Sequence, residues 1–86
     1  MWQIVFSKQA QKDAKKISAA GLKPKTEKLL KLMKRNPYIT PPTFEKLKGD
    51  LTGAYSRRIN IVHRLIYQIL DKEKTIKIIR MWTHYE

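Results

Sequence analysis

Three arginines interrupt apolar sequence in the second half of the chain. Arg58, Arg64 and Arg80 each stand among Ile, Leu and Tyr, and His84 and Tyr85 follow the last such run. A charge is seldom kept in such a place unless it is paired or used. With Glu45 upstream, these are the residue types that metal-free RNA cleavage requires. A base takes the proton of a 2'-hydroxyl, cations hold the charge of the phosphorane, and an acid protonates the departing 5'-oxygen. Taken singly, each has an ordinary explanation: a strand arginine on a solvated edge or paired with a carboxylate, a penultimate tyrosine in a frayed tail. As a set they are more suggestive, because neighbouring antiparallel strands hold residues distant in sequence within about 5 Å of one another.

Other chemistries find less support. The chain has no glycine-rich phosphate loop, no HExxH and no GxSxG. It has no cysteine, so thiolate metal sites and disulfide frameworks are excluded. His63 and His84 are the only histidines, and two imidazoles without an evident carboxylate cluster make weak metal ligands. No metal or other cofactor is expected.

The elements that must position these residues follow from pattern. WQIVF, residues 2–6, alternates loosely and reads as a strand. Ser7 sits where a helix N-cap would, and Ala10, Ala14 and Ile17 recur at helical spacing over residues 8–19, with Gly21 as the stop. Pro24 suits the first turn of a second helix, Leu22, Leu29, Leu30, Leu32 and Met33 supply its buried stripe, and Asn36-Pro37 ends it. NPYITPPTF, residues 36–44, is a semi-rigid connector with three prolines and no charge. Beyond it the pattern predicts a short extended segment over 45–51. Strands over 55–59 and 62–70 follow, joined by a tight turn at Asn60, and a last strand runs from Thr75 to about Trp82. Both alternating sets of the 62–70 run are mostly apolar, as in a central strand covered on both faces. The predicted class is α+β, one domain spanning 1–86. Two helices pack on one face of a mostly antiparallel sheet of four to five strands, and the other face is concave and basic.

Length and composition agree. Eighty-six residues make one small domain, and 42% apolar with 30% charged residues fits neither a disordered nor a membrane-spanning chain. No apolar run reaches the roughly 18 residues of a spanning helix, and MWQIVF lacks the basic start of a secretory signal. A cytoplasmic location is the expectation. Nineteen Lys and Arg against seven Asp and Glu give a net charge of +12, which calls for a polyanionic partner, nucleic acid or an acidic protein. Residues 1–43 carry nine lysines and one arginine, while Arg57, Arg58, Arg64 and Arg80 lie in the second half. Lysine suits diffuse attraction and arginine a bidentate grip on phosphate, so the halves divide steering from chemistry. The lysines either form a solvated face or steer the protein to ribosomal RNA by counterion release.

The segment FEKLKGDLTGAYSRRINIVHRLIYQI together with the terminal RMWTHYE resembles the YoeB/Txe branch of the RelE-like bacterial toxins. The shared pattern is an E-x-L-K segment, an L-x-G-x-aromatic-S-R-R-I run, an H-R-L-aliphatic-Y strand and a closing His-Tyr, dense over residues 44–86. The resemblance implies a RelE-like, microbial-RNase-like fold and a toxin of a toxin-antitoxin pair. Such a toxin is an endoribonuclease that cuts mRNA in the ribosomal A site and halts translation. It would be neutralised by an antitoxin with an acidic C-terminal segment, and relatives suggest a homodimer. It further implies Glu45 as general base, Arg64 as transition-state clamp, His84 as general acid and Tyr85 as a residue orienting RNA or assisting proton transfer. Arg58 is the implied phosphate contact, and Arg57, Arg80, Lys46 and Lys48 are further candidates for RNA binding. His63 reads as structural. Glu86 extends the chain past the usual final His-Tyr and adds a carboxylate that favours imidazolium at His84. The competing reading is a basic module that binds RNA or the ribosome and represses translation by occupancy alone.

Overall fold

The computed structural model describes residues 1–81 of the chain. Expectations placed on His84, Tyr85 and Trp82 lie outside the described residues. Strand β1, Gln3–Phe6, leads into helix α1, Lys8–Ala19, and helix α2 spans Lys23–Arg35. After the proline-rich connector come β2, Phe44–Lys46, a 3-10 turn at Gly49–Leu51, β3, Tyr55–Arg58, β4, Arg64–Leu70, and β5, Thr75–Arg80. The five strands form one sheet in the order β1-β5-β4-β3-β2, in which only the β1/β5 pair is parallel. The expected α+β class and strand count are therefore met.

Ser7 caps α1 in the manner its position suggested. Its Oγ accepts from the Ala10 amide at 3.0 Å and donates to the Ile79 carbonyl at 2.7 Å, so one hydroxyl starts the helix and ties it to β5. Gly21, at φ 74°, takes the left-handed conformation that lets the Leu22 amide reach back to the Ile17 carbonyl, which ends the helix. Ala10 and Ile17 from α1 and Leu29 and Met33 from α2 bury against Leu65 and Tyr67 of β4 and Ile76 and Ile78 of β5. Full burial of each large aliphatic side chain contributes about 1.5 to 3 kcal/mol. On the opposite face Leu47, Ala54 and Ile66 form a second, smaller apolar cluster with Ile79. Strand β4 is third of five and buries Leu65, Ile66 and Tyr67 on its two faces, the central strand its composition announced.

Strands β4 and β5 are each shorter than expected because a side chain takes the amide that the ladder would have used. Strand β4 starts at Arg64 and not at residue 62. Asn60 Oδ1 accepts from the Val62 and His63 amides, and Ile59 closes the loop by donating to the His63 carbonyl. Strand β5 ends at Arg80, because the Met81 amide donates to the buried Asp13 carboxylate of α1 at 3.1 Å. The extended segment expected over 45–51 is a strand only to Lys46 and then turns at Gly49, φ 69°.

Candidate active site

The middle of three strands builds the site. Glu45 of β2 lies opposite Ser56 of β3, and Ser56 lies opposite Ile66 of β4. Two residues further along β3, Arg58 lies opposite Arg64. Residues two apart on a strand share a face, so Glu45, Ser56, Arg58 and Arg64 all stand on the side away from the helices. With Pro42 and Thr43 they line a cleft of about 260 Å³. Glu45 Oε2 is 3.7 Å from Arg64 Nη1. The Glu45 side chain is 63% exposed and that of Arg64 17%, so the pair contributes at most about 1 kcal/mol and leaves the carboxylate open to solvent. Carboxylate and guanidinium groups thus face a common space without being consumed by one another. The cleft is able to take up a phosphate diester, since two arginines and a carboxylate that can accept a proton line it together.

Beneath the cleft, on the helix side of the same strands, lies its support. Phe44 meets Tyr55 edge-on, with ring centroids 5.6 Å apart, and Tyr55 stacks on Tyr67 at 5.8 Å. Arg57, 1% exposed, sits in this aromatic layer with its Cζ 4.7 Å from the Phe44 ring centre. Its Nε donates to the Tyr67 hydroxyl and its Nη2 to the Pro37 carbonyl, each at 2.9 Å, and its Nη1 donates to the Pro42 carbonyl. A buried guanidinium is tolerated where its donors are satisfied in this way. Burial pushes the Tyr67 phenol above its ordinary pKa, against the lowering pull of Arg57.

These contacts correct the expectation that Arg57 binds RNA: its donors hold the proline connector onto the sheet, and no face of it reaches solvent. Lys46 does not line the cleft. It is exposed, but it lies in register with Tyr55, on the face opposite Glu45. Arg80 is half-exposed and points to α1, its Nε 3.6 Å from Asp13 Oδ2, and it does not line the cleft. Lys48 is exposed in the segment just after β2. His63 lies in the β3/β4 loop with its Nδ1 3.2 Å from Asn60 Oδ1, in keeping with a structural part. Two residues of consequence were not singled out from sequence. Asp13 is fully buried and joins α1 to the end of β5. Ser56 is 2% exposed on the floor of the cleft, two residues from Arg58, and strict alternation along β3 was the signal that would have found it.

Residues 5–85 match a family described as the YoeB-like toxin of bacterial type II toxin-antitoxin systems. The curated toxin YoeB of Synechocystis sp. is 41% identical over 58 residues, which cover 67% of this chain and 65% of the length of that relative. Among solved structures, the toxin-antitoxin heterotetramer of YoeB and YefM from Staphylococcus aureus matches with a TM-score of 0.80 and 41% identity over 99% of both chains. The YoeB dimer from the same organism matches with a TM-score of 0.81 and 41% identity over 98% of both chains.

Proposed function

The chain belongs to the YoeB-like toxin family of bacterial type II toxin-antitoxin systems, and on that footing we propose that it is a ribosome-dependent endoribonuclease that cuts mRNA in the A site without a metal and so stops translation. The observation that carries this reading is the meeting of Glu45, Arg58 and Arg64 around one cleft. In the proposed reaction the Glu45 carboxylate accepts the 2'-hydroxyl proton of the nucleotide 5' of the scissile bond. The freed 2'-oxygen attacks the adjacent phosphorus and the bond to the 5'-oxygen breaks, leaving a 2',3'-cyclic phosphate. Arg58 and Arg64 offset the charge that grows on the phosphorane. His84 returns a proton to the departing 5'-oxygen, and Tyr85 orients the RNA.

Partners follow from the same membership and from charge. A YoeB of Staphylococcus aureus is found with YefM and also as a dimer. We assign this chain a cognate antitoxin with an acidic segment, complementary to its +12, and a homodimer as its unbound form. The exposed lysines of α1 and α2 would draw it to ribosomal RNA. A cytoplasmic location accords with a ribosomal target. No helix among the described residues is long and apolar enough to cross a membrane.

The test is to map mRNA 5' ends in cells after brief induction, with His84→Gln alongside. New 5'-hydroxyl ends within codons, absent with His84→Gln although that variant still sediments with ribosomes, are expected. Growth arrest with intact mRNA, unchanged by His84→Gln, would favour repression by occupancy and reject the enzyme.

A further inference from the structure

Ser56 is the one buried side chain whose polar atom has no hydrogen-bond partner among the described residues. An unsatisfied buried hydroxyl costs about 1 to 3 kcal/mol, and native structures seldom keep one without a use. On its β4 side the protein offers it no acceptor. Across β4 it faces Ile66, which packs with Leu47 and Ala54, and its other opening is the cleft. There it stands between an acceptor and two donors: Glu45 lies opposite it on β2, and Arg58 lies two residues along its own strand face, opposite Arg64.

Resting on the ribonuclease reading above, we infer that Ser56 is a further catalytic residue, its hydroxyl donating a hydrogen bond to a non-bridging oxygen of the scissile phosphate. A serine hydroxyl has one proton to give. The 2'-hydroxyl has its acceptor in Glu45, whereas the two non-bridging oxygens gain charge as the phosphorane forms and need every donor within reach. Ser56 is short, fixed in the middle strand of the site and shielded from bulk water. Its oxygen is therefore held in place by the strand before the substrate arrives, and only the O–H has to turn toward the phosphate. The arginines supply charge and the serine supplies direction.

The test uses the full chain on programmed ribosomes, in single-turnover cutting of an mRNA with either phosphorothioate diastereomer at the scissile linkage. Ser56→Ala removes an unpartnered hydroxyl, so its melting temperature is expected to equal or exceed that of the wild type while cutting slows about 100-fold. Ser56→Cys, which keeps a weak donor, should fall between. For one diastereomer the wild type should slow markedly on sulfur substitution, and Ser56→Ala should lose most of that sensitivity, a change that a merely structural role would not produce. Three results would overturn the assignment: a Ser56→Ala rate within about twofold of wild type, a loss of rate that tracks a loss of stability, or an undiminished sulfur effect for both diastereomers. Failure of the wild-type protein to cut at all would instead overturn the ribonuclease reading, and the role of Ser56 with it.

Discussion

Glu45 and Arg64 stand 3.7 Å apart at the mouth of the cleft, too loosely paired for either to matter much to the fold. Glu45→Gln should therefore melt like the wild type, and its single-turnover cutting should fall about 10² to 10⁴-fold, the range of a lost general base. Adjacent Arg57 and Arg58 should separate in the opposite sense. Arg57→Ala strips three donated hydrogen bonds from a buried layer and should lower unfolding free energy by roughly 2 to 4 kcal/mol in urea titration. Arg58→Ala, exposed on the cleft face, should keep its stability and lose cutting rate. Glu45, Arg58 and Arg64, which the motif singles out, stand around one cleft. Sequence could not tell that Arg57 is buried, because residue type says nothing about which side of a pleated strand a cation takes, and neighbours take opposite sides.

The aromatic layer of Phe44, Tyr55 and Tyr67 backs the strands of the site. Tyr67 gives that layer a signature in pH. Burial raises its folded pKa above the ordinary value near 10, so its contribution to stability is complete below that value and is lost as pH climbs through the folded one. Denaturation midpoints followed from pH 9 upward should fall, and Tyr67→Phe should fall less steeply over the same window while starting from a lower midpoint for want of the Arg57 hydrogen bond. Helix and strand identities were readable from periodicity, Ser7, Gly21 and Pro24. The ends of β4 and β5 were not, because they are decided by Asn60 and Asp13 capturing backbone amides, one within a loop and the other from a helix 68 residues away in sequence. Local pattern carries no trace of the second.

Across the molecule, positive charge is divided between a lysine-coated helical side and an arginine-lined cleft on the far face of the sheet. Lys8, Lys12 and Lys15 crowd one stretch of α1 and should act on encounter and not on chemistry. Replacing them with Gln should weaken ribosome binding, flatten its dependence on salt by about one in log-log slope for each phosphate no longer neutralised, and leave single-turnover cutting of bound mRNA unchanged. The net charge was plain from composition, and the fold explains why its two parts do not compete: the sheet lies between them. What unites the cleft with the proposed toxin activity is a nucleophile supplied by the RNA itself. The most direct measurement is single-turnover cutting of ribosome-bound mRNA whose nucleotide 5' of the scissile bond carries a 2'-hydrogen in place of the 2'-hydroxyl. Complete loss of cutting, with the A-site complex still formed, is the expected result. Cutting that continues at the same linkage would contradict it, since no proton would then remain for Glu45 to take.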